Sequence, residues 1–281
     1  MAEAIRRFLS WLELRRGSAG NTLLAYRADL KQFQTILEAT ELINPIQLSS
    51  EQVSKYVAWL TRQGYRPATV SRKMAAVRSF LSYLKQEEGL EEGKLLAELR
   101  PGPSPRRRPR VLDPHEVGQL LSLPGRQDTP RAQRDAAILS LLYATGLRAA
   151  DLVALRVEDI HVEAGRLDRT GAEGGRLPLG SASEPLRRYL SHGRPQLARS
   201  SSESALFLNQ RGRQLSRQGL WLVVKRWAKA SGLGADVSPH TLRHTLAHHL
   251  LSEGKSRREV QLRLGLSSPN AIRVPRERTD A

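Results

Sequence analysis

The sequence contains no cysteine among its 281 residues, and this absence limits its chemistry at once. Disulfide bonds, thiolate metal sites and thiol redox reactions are all excluded. Long hydrophobic runs are missing too, because no apolar stretch approaches the roughly 20 residues that a membrane-spanning helix needs. The N-terminal residues 1–7 begin an amphipathic helix and do not resemble a signal peptide. We therefore expect a cytoplasmic protein with no membrane partner.

Acidic residues are scarce relative to basic ones. Lysine and arginine total 45 against 28 aspartates and glutamates, which gives a formal net charge of +17, and only eight of the basic residues are lysine. A cationic surface releases condensed counterions from a nucleic-acid backbone, so the excess favours a polyanionic partner and an association with the nucleoid. The alternative is a solvated basic surface that has no partner.

Helical patterns fill the first hundred residues and predict a helical N-terminal domain over 1–100. Asn21 and Thr22 can cap a first long helix, since apolar residues follow them at helical spacing. Ser49 begins a capping-box pattern ahead of a second helix. A third helix is predicted over 69–86, with its apolar residues on one side.

Several arginines in and after this domain are candidates for contact with phosphates. Arg72 and Arg78, together with Lys73, lie away from the apolar side of the third helix, although an ordinary solvated face explains them equally well. Residues 101–110 hold four prolines and no apolar anchor, so they predict an extended linker over 101–112. The linker arginines, which suit either a strap across a DNA backbone or a merely charged linker, are Arg106, Arg107, Arg108 and Arg110.

A second domain is predicted over 113–281. Asp113 can cap its first helix, because Pro114 suits the first helical position and Glu116 completes the capping pattern. Further helical patterns follow, interrupted by one β region at 165–180 whose glycines predict a hairpin. The expected fold is therefore mainly α with a small β-hairpin or sheet, in two domains.

Two short stretches carry residues suited to binding a phosphodiester. Arg148 follows a glycine turn within Ala144–Leu152, and Pro239–His244 places His240 three residues before Arg243. Residues three apart share a helix face, so His240 and Arg243 can converge on one phosphate. Guanidinium groups donate several charge-assisted hydrogen bonds to such an oxyanion and can replace a metal ion. A buried histidine with surface arginines would show the same residues.

The order of these motifs makes the sequence resemble the tyrosine recombinases, the phage-integrase family, and within it the Xer type. The resemblance covers nearly the whole chain and includes Asn21-Thr22, Ala25-Tyr26, Asp29-Leu30, Ala68-Thr69-Val70, Arg78-Ser79-Phe80-Leu81, Ala144-Thr145-Gly146-Leu147-Arg148, Leu206-Phe207-Leu208-Asn209 and Ser238-Pro239-His240-Thr241-Leu242-Arg243-His244. It implies a two-domain tyrosine-recombinase fold, with a helical SAM-like core-binding domain and an α+β catalytic domain that together clamp double-stranded DNA.

The resemblance also implies a mechanism. A tyrosine attacks the scissile phosphate, a hairpin lysine protonates the leaving oxygen, and two arginines and two histidines stabilise the transition state. No cofactor is consumed, and four subunits exchange strands through a Holliday junction. Arg148, His240 and Arg243 match catalytic positions of the family, and Asp151 matches the acid that orients them.

Three other catalytic positions of the family hold residues that cannot do this chemistry. Thr170 stands in the slot of the lysine, Leu266 replaces the second histidine, and Pro275 stands where the nucleophilic tyrosine belongs. No tyrosine follows Tyr189 in this sequence, and the hydroxyls near Pro275 have no adjacent base to activate them. We expect a DNA-binding protein that cannot cleave DNA alone.

Two other functions are possible: a recombinase that depends on a partner subunit, and a transcription factor. A homo- or hetero-tetramer on DNA is expected as the assembly. Strand exchange would need a hetero-tetramer in which an active recombinase supplies the tyrosine, because no copy in a homotetramer carries one. A helical transcription factor is a weaker alternative, because it needs neither the hairpin nor two domains. We expect no small-molecule substrate and no metal site, since the remaining histidines show no metal-ligand pattern: His115, His161, His192, His244, His248 and His249.

Overall fold

The computed structural model describes residues 1–16, 20–38, 45–90, 95, 99, 110–169, 175–200 and 202–265. The chain divides into two compact units, Met1–Arg106 and Arg107–Ala281. In these ranges, no helix combines the length and apolar character that crossing a membrane requires.

Among its described residues, the first unit contains four helices around an aromatic core. They are α1 (Ala2–Arg16), α2 (Gly20–Glu38), α3 (Ser50–Arg62) and α4 (Pro67–Glu88). The core side chains Phe8, Phe33, Tyr56 and Phe80 are fully buried, and their rings contact one another in pairs. The helical prediction for this region is therefore confirmed.

The ends of the helices in the first unit can be compared with the caps and bounds that the sequence predicts. Ser49 caps α3 through a capping box with Gln52, as the sequence predicts. The predicted cap at Asn21 and Thr22 is wrong, because α2 already begins at Gly20. Helix α4 extends two residues beyond the prediction at each end, since Pro67 suits its first turn and Gly89 ends it in a left-handed conformation.

The second unit contains eight helices within the ranges described. They are α5 (Pro114–Ser122), α6 (Pro130–Thr145), α7 (Ala149–Ala154), α8 (Ser183–Arg188), α9 (Arg194–Leu197), α10 (Arg217–Ala230), α11 (Pro239–Ser252) and α12 (Arg257–Leu264). Asp113 caps α5 through a capping box with Glu116, as predicted. A π-helical segment, Tyr189–Gly193, joins α8 to α9.

The β region forms a three-stranded antiparallel sheet in the order β1 (Ile160–His161), β2 (Arg166–Arg169) and β3 (Gly175–Pro178). Leu167 pairs with Leu177 in the β2–β3 register, which places both apolar side chains on the buried face. The predicted hairpin is confirmed. Strand β1 was not predicted because two residues are too few to show an alternating pattern.

Helix α6 is the centre of the second unit. Nearly all of its residues are buried, including polar ones, so it contacts neighbours on every side. It ends at Gly146, whose left-handed φ of +63° turns the chain toward Arg148 at the start of α7. The mainly helical fold with a small sheet therefore agrees with the sequence-based prediction, and α6 positions the residues considered next.

Candidate functional site

Arg243 lies almost entirely inside the second unit, with 8% of its surface exposed. Its guanidinium donates hydrogen bonds to the carbonyl oxygen of Gly146 and, over 2.5 Å, to that of Leu264. The first carbonyl belongs to the end of α6 and the second to the end of α12. One buried side chain thus joins two helix termini whose carbonyl groups have no partner inside their own helices.

Arg148 meets the same region from the solvent side. Its Nη2 atom donates a 2.8 Å hydrogen bond to the carbonyl oxygen of Gly265, the residue that directly follows Leu264. The two arginines therefore bind consecutive carbonyl groups at the end of α12, although 95 residues separate them in the chain. We call Arg148, Arg243 and His240 the arginine–histidine cluster.

His240 lies one turn before Arg243 in α11 and is exposed. Its Nε2 atom is 2.8 Å from Nε2 of His244, so one ring donates a proton and the other accepts it. Partial burial of the ring, and then the positive charge of Arg243, lower the pKa of His240 below its ordinary value. The neutral form of the imidazole is therefore favoured more than in an ordinary histidine.

The N-terminus of α11 presents this histidine in a defined way. Ser238 caps the helix by accepting from the backbone N–H of Thr241, and Pro239 occupies the first turn. His240 therefore projects from the first turn of a long helix, where backbone N–H groups and the helix dipole favour an anion. A phosphate near His240 would meet donors from the helix terminus as well as from the side chains.

Sequence reasoning missed two further members of this region. His244 follows Arg243 directly, and its spacing of four from His240 is the signal that could have identified the pair. Arg263 in α12 donates a 3.2 Å hydrogen bond to the carbonyl oxygen of Ala144 near the end of α6. No sequence pattern marks Arg263, since its partner lies 119 residues away.

Asp151, the predicted orienting acid, is half-buried in α7, one turn after Arg148. Arg148 is the N-cap residue of that helix, so Asp151 lies within one turn of it. The orienting role itself stays a prediction.

The predicted DNA-binding arginines of the first unit are engaged within that unit. Arg72 is 45% exposed at its side chain and pairs with the buried carboxylate of Asp29, whereas Arg78 donates to the carbonyl oxygen of Leu99. Lys73 was expected to lie away from the apolar side, and this is wrong. It is 8% exposed, and its Nζ atom lies 3.0 Å from Asp29 Oδ1 and 2.7 Å from Gln32 Oε1.

Arg110 is held against the second unit. It pairs with Glu116 over 2.8 Å and with Asp236 over 2.6 Å, and it also donates to the carbonyl oxygen of Leu233. The hydrogen bond to Asp236, opposed by partial burial, raises the pKa of Arg110 above its ordinary value. Contact between Arg110 and DNA stays a prediction, and the predicted contacts of Arg106, Arg107 and Arg108 lie outside the described residues.

The two tyrosines of residues 107–281 are both engaged inside the second unit. Tyr189 is fully buried, donates to the carbonyl oxygen of Leu206 over 3.1 Å, and has its pKa raised to about 12 by burial. The hydroxyl of Tyr143 lies 2.8 Å from Nδ1 of His249, and burial raises its pKa as well. Thr170, Leu266 and Pro275 lie outside the described residues.

Comparison with known proteins now identifies the family. Residues 110–274 match the phage integrase family, and residues 5–88 match the N-terminal SAM-like domain of phage integrases. The chain belongs to the tyrosine recombinases. Among its relatives, tyrosine recombinase XerC of Roseiflexus sp. (strain RS-1) is 39% identical over 98% of this chain and 88% of its own length. Tyrosine recombinase XerD of Listeria monocytogenes serovar 1/2a is 36% identical over 94% and 90%.

Solved structures support the same fold for this tyrosine recombinase homologue. The XerH site-specific recombinase bound to palindromic difH substrate has a TM-score of 0.71, with 18% identity over 96% of this chain and 90% of XerH. A lambda integrase dimer bound to a COC′ core site also has a TM-score of 0.71, with 20% identity over 99% and 96%. The predicted two-domain tyrosine-recombinase fold is confirmed.

Proposed function

We propose that this tyrosine recombinase homologue grips a backbone phosphate of duplex DNA with its arginine–histidine cluster and does not cleave DNA by itself. The observation that carries the proposal is the convergence of Arg148 and Arg243 on the consecutive carbonyl groups of Leu264 and Gly265. The net charge of +17 supports a polyanionic partner. The similar XerH and lambda integrase structures are complexes with DNA, which supports the same ligand here.

The two arginines have different parts in this proposal. Arg148 is exposed and donates to the carbonyl oxygen of Gly265, so a phosphate can reach its guanidinium from solvent. Arg243 is buried against two carbonyl groups, and it supplies fixed positive charge and joins the helix ends that carry the site. Neutral His240 can donate a hydrogen bond to a non-bridging oxygen once its bond to His244 opens.

The lack of cleavage follows from the residues at three positions. Thr170 has no ammonium group to protonate a leaving oxygen, Leu266 donates nothing, and Pro275 has no hydroxyl for attack. Loss of one positioned acid or base commonly lowers a rate by about 10²- to 10⁴-fold, and loss of the nucleophile removes the covalent route. Tyr143 and Tyr189 do not compensate, since their hydroxyls are engaged within the fold.

Binding to DNA is tested by replacing Arg148 with alanine. We expect the dissociation constant for a labelled duplex with candidate Xer-type sites to rise roughly tenfold, because one charge-assisted contact to phosphate is lost. The slope of log affinity against log salt is expected to fall by about 0.9. Fluorescence anisotropy across a range of salt concentrations measures both quantities.

Arg187→Ala is the matched control for this test. Arg187 is also an exposed arginine of the second unit, but it pairs with Glu163 and Glu184 and lies on α8. Its removal changes the net charge by the same amount. If both variants lost the same affinity and the same salt dependence, the binding would be a general charge effect and the assignment to the cluster would be wrong.

A partner-dependent recombinase is the second function that we propose for the same site. The engaged state of Tyr143 and Tyr189 favours it over cleavage by this chain alone, because neither hydroxyl is free to attack a phosphate without breaking its contact in the second unit. Mixing the chain with a tyrosine-bearing Xer recombinase separates the possibilities. Cleavage of a site that neither protein cleaves alone supports a mixed tetramer, whereas cleavage no greater than that of the tyrosine-bearing enzyme alone excludes it.

A further inference from the structure

His240 and His244 form a contact that the phosphate site does not require. They lie four residues apart on α11, and their Nε2 atoms are 2.8 Å apart. Their ring centroids are 4.2 Å apart with an angle of 83° between the planes. Rings joined end to end along one straight N–H···N bond would have centroids about 5 Å apart. The rings therefore meet at nearly a right angle, and their two Nε2 atoms lie closer to each other than the ring centroids do.

We propose that this histidine pair is a two-ligand site for a divalent transition metal, with preference for Cu²⁺ and Ni²⁺. Two metal–nitrogen bonds of about 2.0 Å at a right angle span about 2.8 Å between the nitrogens, which matches the observed separation. Histidines four apart on one helix face can both bind one metal ion, as the same spacing does in helical zinc sites. The match requires no movement of either ring nitrogen.

The surroundings of the pair define what kind of site it is. Within the described residues, no group of three or more histidine, aspartate or glutamate side chains is placed to hold a metal ion. The protein thus supplies two ligands, and water fills the remaining positions. A tetrahedral ion spreads its ligands further apart than 2.8 Å, which disfavours Zn²⁺ relative to ions of square or octahedral preference. The nearby charge of Arg243 weakens the binding of every cation. Cu²⁺ is expected to bind best of these three ions, because it forms the strongest complexes with nitrogen ligands, and Ni²⁺ is expected next.

A metal at this position would compete with DNA, and this consequence rests on the proposed function. The ion would occupy Nε2 of His240, the atom proposed to donate to a phosphate oxygen. Binding of Ni²⁺ would thus remove one member of the arginine–histidine cluster from the phosphate. The metal site itself does not depend on DNA binding and can be measured without DNA.

The metal site is tested by calorimetric titration of NiCl₂, and in a second series CuCl₂, into the untagged full chain. We expect one ion per chain, and roughly 10²-fold weaker binding in both His240→Ala and His244→Ala, because a single imidazole loses the advantage of chelation. His248→Ala is the matched control. His248 lies one turn beyond His244 on the same helix, but its ring is not placed against that pair, so its removal should leave affinity and stoichiometry unchanged.

Circular dichroism of each variant establishes that the helices are retained. The proposal is overturned if His244→Ala binds Ni²⁺ as the unmodified chain does, or if His248→Ala loses binding equally. A DNA titration with and without NiCl₂ then tests the competition. We expect Ni²⁺ to weaken DNA binding of the unmodified chain but not of His244→Ala. If the chain binds Ni²⁺ but never binds DNA, the proposed function fails while the metal site stands.

Discussion

Replacement of Gly146 by alanine is expected to destabilise the second unit by about 2–4 kcal/mol. Gly146 has φ +63°, where an alanine costs about 1 kcal/mol, and overpacking a closed contact commonly costs about 1–3 kcal/mol more. A Cβ at this position would overlap Cδ2 of Leu264 and lie 2.9 Å from Cδ2 of Leu246. Both neighbours are buried, so neither can move without disturbing the packing. Urea unfolding followed by circular dichroism measures the loss.

Gly254→Ala provides the control for this substitution. Gly254 also has a positive φ, +85°, but a Cβ there would meet nothing within 4 Å. The free energy of unfolding of the Gly254→Ala variant should therefore fall by only about 1 kcal/mol, the cost of placing an alanine at a positive φ. Equal losses at Gly146 and Gly254 would contradict the close packing of α6 against α12. Since Leu264 also supplies a carbonyl oxygen to Arg243, Gly146→Ala should weaken DNA binding too.

Replacement of Arg243 by alanine is expected to lower the free energy of unfolding by about 2–4 kcal/mol and to weaken DNA binding as well. The loss of stability arises because the carbonyl groups of Gly146 and Leu264 both lose a charged donor in a buried place. Arg243→Lys should recover part of the stability, since one ammonium can reach one carbonyl but cannot copy the planar fork. Chemical unfolding and anisotropy of the same preparations separate the two effects.

Arg148→Ala serves as the comparison for Arg243. Arg148 is exposed, and its hydrogen bond to the carbonyl oxygen of Gly265 lies at the surface, so its loss should change the free energy of unfolding by less than about 1 kcal/mol. DNA binding should fall in both variants, whereas stability should fall only in Arg243→Ala. If Arg243→Ala left stability unchanged, the guanidinium would not be the link between α6 and α12 that the structure shows.

Local sequence signals predicted the features that depend on neighbouring residues. The capping boxes at Ser49 and Asp113 were predictable because the cap and its partner are three residues apart. The β2–β3 hairpin followed from glycines flanking apolar residues. Arg148, His240 and Arg243 could be selected because the order of their motifs resembles one family, and the comparisons confirm that family.

Contacts between distant parts of the chain could not be predicted in this way. Nothing in the sequence indicates that Arg110 pairs with Asp236, which lies 126 residues away. The burial of Lys73 depends on Asp29 from another helix, and a helical pattern alone places Lys73 on the outer side. The contact between His240 and His244 depends on side-chain rotamers, although their spacing permits it.

The central claim is that the chain holds DNA without cutting it, and a nicked suicide duplex tests this most directly. Such a duplex traps any covalent intermediate, because the fragment released after cleavage diffuses away. Incubation with candidate Xer-type sites, followed by native and denaturing gels, should give a salt-sensitive shift and no covalent adduct. A covalent protein–DNA adduct would contradict the account. Mapping the attached residue would then identify which side chain acts as the nucleophile in place of the tyrosine, whose position holds Pro275.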